Sequence, residues 1–455
     1  MKCKFIALLF LLVITAPSFV QEQSPYDIAL QRILAAKRNG DSTLNLQNLG
    51  LSDIPVEVGE LENLQELDLS GNQIDELPSE ILELTNLQLL NLSGNEFSRL
   101  PSEISQLTNL QRLVLSYNQV SSLSPTIANL SDLKSLDLSS NELQRLPPEF
   151  NHLESLESLN LSRNDFTELP PQIIGLSNLH WLNLMLNPLS SLSPQIGLLT
   201  NLQALILSGT QLNELAPEIG QLTHLQWLDL ASNNLSTLPD EFGQLSNLRG
   251  LDLSANQFTE LPQIVGQLIS LEGLYVINNP LNYVPPEIGQ LTALKDLYIQ
   301  HTSLEHLPPE IGQLVKLEQL YLDNNELQDI PSEIGQLTHL QYLTLSFNYL
   351  KEIPPGIGEF IHAEQIDLDN NELQNLPPEI GQLTNLLSLH LENNQLSSLP
   401  LEIGNMTDLR VLGVSGNPLN DPPPEIVEQG TSAILTYLHE RVAIRKHQCD
   451  NRQPS

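Results

Sequence analysis

Sixteen asparagine-or-threonine positions, each 23 residues after the last, run without a register break from Asn72 to Asn417. They are Asn72, Asn95, Asn118, Asn141, Asn164, Asn187, Thr210, Asn233, Asn256, Asn279, Thr302, Asn325, Asn348, Asn371, Asn394 and Asn417. A fixed period of this length marks a solenoid, because one short unit buries its apolar side only against its neighbours. The chain of 455 residues is therefore read as one elongated domain rather than two or three globular ones.

Within a unit the pattern is Leu64-x-x-Leu67-x-Leu69-x-x-Asn72-x-Ile74-x-x-Leu77-Pro78-x-Glu80-Ile81-x-x-Leu84. Leu-x-Leu predicts a short strand whose two leucines point into the core, leaving the intervening and flanking residues on the opposite, concave surface. The asparagine follows at the turn. Buried backbone groups need partners, and an amide side chain offers both donors and an acceptor, so the column predicts a hydrogen-bonded ladder. Thr210 and Thr302 keep a hydroxyl there, which thins the ladder without cutting it. The proline then opens the convex side, where an irregular or one-turn helical segment is expected. Strands about 4.8 Å apart make a curved parallel sheet on the order of 75 Å along its arc.

Both ends read as closed. Ser24-Pro25 is a helix start and Gly40 a stop, with Tyr26, Leu30, Ile33, Leu34 and Lys37 on one face. This helix is expected to cover Leu44, Leu46, Leu49, Leu51 and Ile54 of the first unit, which has Leu49 where the ladder asparagine belongs. After Pro422-Pro423-Pro424, the residues Ile434, Leu435, Leu438 and Val442 recur at helical spacing, with Thr431 or Ser432 as N-cap. The expected divisions are a signal peptide over 1–20, an N-terminal cap over 21–41, the repeats over 42–424, a C-terminal cap over 425–446 and a disordered tail over 447–455. The leader reading rests on Lys2 and Lys4, the apolar run Phe5 to Ala16, and the small residues Ala16-Pro17-Ser18. Cys3 falls in that leader, so Cys449 would stand alone after processing, and no disulfide belongs to the fold.

The wording of the units resembles a branch of the leucine-rich repeat superfamily. Leu-Pro-Pro-Glu-Ile-Gly-Gln-Leu followed by Thr at 376–384, and by Val315 at 307–315, is similar to the 23-residue class of Ras-associated repeat proteins and their bacterial homologues. The junction Gly416-Asn417-Pro418-Leu419, Pro422-Pro423-Pro424-Glu425-Ile426-Val427 and Gln429-Gly430-Thr431 resembles the one that follows the repeats in cyanobacterial and Roco-type chains. The resemblance implies an α/β leucine-rich repeat solenoid, a right-handed β-α superhelix with a curved parallel sheet on the concave face and helical caps. It also implies a protein-interaction role. It carries over no GTPase, since the residues for one are absent.

Composition narrows the partner. Acidic residues outnumber Lys plus Arg by 55 to 19, a formal charge of −36. Nucleic acid requires clustered cations, so it is excluded, and anionic membranes are disfavoured on the same ground. A neutral or basic partner fits. Catalytic chemistry finds no foothold. No Gly-Lys pair offers a P-loop, and His439-Glu440 lacks a second ligand because Ala443 stands in its place. No cofactor site and no metal-ligand spacing is read. The column Glu80, Glu103, Glu149, Glu218, Glu241, Glu287, Glu310, Glu333, Glu379, Glu402 and Glu425 reads as solvated acids favouring a helical N-terminus over a calcium site.

The concave positions carry the binding expectation. Trp181, Trp227, Tyr275, Tyr298, Tyr321 and Tyr342 stand there with Met185, while Asp229, Asp252, Asp296 and Asp323 are placed to meet basic groups. Aromatic side chains on one exposed face mark an interaction site, although aromatics also suit strands and ladder against one another. The reading is an exported, non-catalytic scaffold that binds a protein or peptide in this groove. A cell-surface adhesin or glycan-binding module and a repeat-only member of a GTPase-associated signalling family are the alternatives.

Overall fold

The computed structural model describes residues 23–450, with side chains through 444. The expected leader and the end of the expected tail lie outside that range. Seventeen three-residue strands, from β1 (Thr43–Asn45) to β17 (Val411–Gly413), form a single parallel sheet. Successive strands pair in order with a register shift of one repeat, as in Leu44 opposite Leu67 and Leu389 opposite Leu412. The middle residue of every strand is buried and its two neighbours lean outward, which is the alternation a sheet with one covered face requires.

The ladder is present in full geometric detail. Asn256 is typical: its Nδ2 donates to the Leu253 carbonyl at 3.0 Å and to Leu230 of the preceding unit at 2.9 Å. Its Oδ1 accepts from Leu235 N at 2.9 Å. Each amide thus joins two turns, leaving neither with an orphan backbone group. Thr210 thins this ladder as expected. Its hydroxyl lies 2.6 Å from the Leu207 carbonyl and 3.0 Å from Asn233 Oδ1. The preceding turn adjusts: Leu189 N donates within its own loop to the Asn187 carbonyl at 2.9 Å.

On the convex side each of the first sixteen units carries a five-residue 3-10 helix, such as Pro217–Gln221, opened by proline and closed by leucine except where Phe360 and Met406 take its place. A second ladder runs here. Asn86, Asn109, Asn178, Asn201, Asn247 and Asn385 each donate to a carbonyl of the preceding unit at 2.7–2.8 Å. His224 occupies the same position, its Nδ1 2.9 Å from the Thr200 carbonyl oxygen. The glycine of Ile-Gly-Gln has a packing reason, since a Cβ on Gly220 would fall 2.2 Å from the Glu241 carbonyl oxygen. The convex glutamates sit in the first turns of these helices, where acids are favoured.

Helix α1 (Pro25–Asn39) begins at the Ser24 cap and stops at left-handed Gly40, as read from the sequence. Its buried face differs from the expected one. Ala29, Ile33 and Ala36 are covered, while Tyr26 and Leu34 are exposed and Leu30 is half-buried. Small alanines let the helix lie close on the first unit, and the larger apolar residues are pushed to its flanks. At the other end a short helix α2 (Pro424–Val427) leads into α3 (Thr431–Asp450), which continues past the expected boundary at 446. Ile434 and Leu438 are buried under it. Thr431 is not an N-cap but the first helical residue, and its hydroxyl accepts from Leu412 N at 3.0 Å, closing the open edge of β17. Among the described residues no helix is long and apolar enough to cross a membrane.

Candidate functional site

The concave face is built from the first and third residues of each strand. In β9 (Trp227–Asp229), β10 (Gly250–Asp252), β11 (Gly273–Tyr275), β12 (Asp296–Tyr298) and β13 (Gln319–Tyr321), the first position passes from Trp227 through two glycines to Asp296 and Gln319, while the third passes from two aspartates to three tyrosines. Trp227 leans across its register partner Gly250, where a Cβ would meet its ring at 2.1 Å. That tilt brings its ring to 6.3 Å from Tyr275, two strands away. Tyr275 and Tyr298 follow at 4.9 Å, and Tyr298 and Tyr321 stack at 4.5 Å with planes 12° apart. Two glycines therefore make the bed on which one continuous aromatic run lies.

The run is polar at its edges. Tyr298 Oη donates to Gln319 Oε1 at 2.7 Å, and burial beside Tyr321 and Asp296 pushes the Tyr298 phenol up to about 12. Tyr275 and Tyr321 are raised too, chiefly by burial. All three remain neutral donors at physiological pH. On one rim, Glu272 bridges Lys295 at 2.8 Å and Arg249 at 3.1 Å, and the Lys295 hydrogen bond holds its carboxyl below the usual range.

The structure separates the sequence candidates into three groups. Trp227, Tyr275, Tyr298 and Tyr321 come together. Trp181 and Met185 lie two strands before Trp227, on or just past β7 (Trp181–Asn183), and have no ring-to-ring contact with the run. Tyr342 stands beyond it in β14 (Tyr342–Thr344), its hydroxyl donating to Glu364 at 2.9 Å.

The four aspartates are not equivalent. Asp229 and Asp252 accept from the backbone N two residues on, Ala231 at 3.0 Å and Ser254 at 2.8 Å, so they close the strand exits. Asn91, Asn160 and Asn183 do the same in other units, which identifies the role as geometric. Asp323 is tied to Thr344 Oγ1, Ser346 N, Ser346 Oγ and Gln300 Nε2, leaving it little capacity for a ligand. Asp296 alone lies beside the rings in the first strand position, its carboxyl raised by burial and by Glu318.

A cluster that sequence reasoning missed stands further along the same face. Asp369, His390 and Glu392 bring one ligand atom each to within 4.8 Å of one another. Burial, a side-chain hydrogen bond with Glu392 and the charge of Asp367 push the Asp369 carboxyl up to about 8. The signal was the pair His390-x-Glu392 set one repeat after Asp367-x-Asp369, which parallel in-register pairing places side by side.

Comparison with known proteins agrees with this architecture. A family described as leucine-rich repeat region matches residues 43–126, 190–280 and 331–429, and two further leucine-rich repeat families match 108–166 and 316–337. No curated protein matches the sequence. Among solved structures, the Leptospira interrogans leucine-rich repeat protein LIC12759 is 37% identical, with a TM-score of 0.76 over 87% of this chain and 95% of that one. The plant peptide hormone receptor RGFR1, solved in complex with RGF2, is 30% identical, with a TM-score of 0.60 over 84% of this chain and 72% of its own. A TDR receptor is also 30% identical, with a TM-score of 0.67 over 80% of this chain and 66% of that one.

Proposed function

The chain belongs to the leucine-rich repeat family, and from that premise we propose that it is an exported, non-catalytic scaffold that holds a protein or peptide partner in its concave groove. The observation that carries this reading is the aromatic run from Trp227 to Tyr321, an uninterrupted strip of ring faces on the exposed side of a rigid sheet. Rings already stacked against one another lose little freedom on binding, so their burial goes into affinity. Hydroxyls along the strip supply directional contacts, and Asp296 beside it favours a neutral or basic partner segment. RGFR1, a similar protein, is a plant peptide hormone receptor solved in complex with RGF2, which supports a peptide partner here. Export is supported by the charged and apolar start of the sequence, from Lys2 to Ala16.

The test uses the full chain and a Trp227→Ala, Tyr298→Ala variant checked for an unchanged melting curve. Both are screened against a displayed peptide library and, in parallel, a glycan array. Peptides enriched by the unmodified chain are expected to lose tenfold or more in affinity for the variant. Equal affinity for both removes the groove as the binding site, and enrichment on the glycan array alone replaces the peptide with a sugar.

A further inference from the structure

Beyond the tyrosine stack, the concave face changes character from rings to ligands. His390 ends β16 (Ser388–His390), and its in-register partner is Asp367 at the end of β15 (Gln365–Asp367). Two residues further on, Asp369 and Glu392 face each other across one strand spacing. Asp369 Oδ1 accepts from Glu392 N at 2.6 Å, and its carboxyl also lies within hydrogen-bonding reach of the Glu392 side chain. Glu392 lies over Gly413 of the next strand, where a Cβ would fall 2.0 Å from Oε1. Its Oε2 is buried without a hydrogen bond and sits 3.8 Å from His390 Nδ1. A buried carboxylate oxygen with no donor is costly, and here it is aimed at an imidazole nitrogen and a second carboxylate.

We propose that Asp369, His390 and Glu392 bind one divalent transition-metal ion, with Zn2+ the ion that fits the donor set. One imidazole and two carboxylates on a sheet suit zinc-type coordination, which takes nitrogen and oxygen ligands at about 2.0–2.2 Å. Calcium is the poorer match, because it gathers about six to eight oxygens and gains nothing from imidazole. The donor atoms stand within 4.8 Å of one another, so a small turn of either carboxylate closes them around an ion. The orphaned Glu392 oxygen gains the partner it lacks. Glu392 N, by bonding Asp369, holds that ligand in orientation. Three protein ligands leave a coordination position facing the groove, open to water or to a donor from a bound partner.

Isothermal titration of ZnCl2 into the metal-free full chain tests this, alongside His390→Gln and Glu392→Gln variants whose melting curves confirm folding. The expected result is one equivalent bound, with the dissociation constant raised tenfold or more in each variant. Co2+ in place of Zn2+ is expected to give a visible absorption band from the unmodified chain that His390→Gln removes. Identical Zn2+ binding by the unmodified chain and both variants overturns the site, as does no binding at about 1 mM, an affinity too weak for a three-ligand centre. Tighter binding of Ca2+ than of Zn2+ overturns the assignment of the ion.

Discussion

The turn column and the strand column repeat with the same period, yet they behave oppositely. At the turn, the ladder position is asparagine in all but two of its sixteen occurrences. At the third strand position, one unit offers aspartate and the next tyrosine, as at Asp252 and Tyr275. The difference follows from burial. The ladder amide is sealed among carbonyls and N–H groups that have no water to fall back on, so the position needs a side chain that both donates and accepts, which asparagine does fully and threonine in part. The strand position faces the groove, where the fold asks only for a side chain that tolerates a pleated surface. Uniformity therefore marks what holds the solenoid together, and variation marks where a surface is free to be specialised.

The sharpest way to break that contrast is Asn233→Ala. Asn233 satisfies Leu207 and Leu230 carbonyls as donor, and it accepts from Leu212 N, Thr210 N and the Thr210 hydroxyl. Orphaning these buried groups is expected to cost about 3 kcal/mol or more in urea unfolding. A loss under about 1 kcal/mol would show that the ladder is ornament. Gly220→Ala comes next, at about 2 kcal/mol, because the new methyl meets the Glu241 carbonyl oxygen and adjacent units must separate.

The strand column is expected to respond more weakly. Tyr298→Ser removes one ring from the stack and should cost under about 1 kcal/mol in the same measurement, since the ring is only half-covered. A loss matching that of Asn233→Ala would make the tyrosines a structural spine and weaken their assignment to binding.

The smallest effect concerns charge. Burial raises the Asp252 carboxyl above its ordinary 3.8, so the folded state disfavours the ionised form. The resulting penalty is absent below 3.8, grows as pH rises from 3.8 to the raised value and is constant above it. Asp252→Asn keeps the acceptor for Ser254 N and is expected to stabilise the fold by on the order of 0.5 kcal/mol at pH 7. That gain should fade toward pH 4. A gain independent of pH would assign it to packing instead.

Much of this is legible in the sequence alone. The 23-residue register, the inward leucines, the ladder and the Ser24 and Gly40 helix boundaries all follow from local rules that hold in every unit. The errors arose where two units or an end had to meet. Leu34 reads as a core residue by size, but Ala29 and Ala36 make the contact because close approach favours small side chains. Thr431 reads as a helix cap, but the unpaired edge of β17 claims its hydroxyl. Asp323 reads as a free acid, but side chains from neighbouring strands absorb it.

The aromatic residues divide in the same way. Their number singles out the concave face as the candidate, while nothing in the spacing distinguishes Trp181 from Trp227. That distinction depends on Gly250, whose missing side chain lets the Trp227 ring cross a strand and reach Tyr275. Likewise, Asp369, His390 and Glu392 become one cluster only when parallel pairing lays residues one repeat apart side by side. A repeating sequence dictates its own backbone, because every unit solves the same burial and hydrogen-bonding problem. Which exposed side chains touch is settled by lateral packing between units, where a single glycine or a tilted ring changes the neighbours.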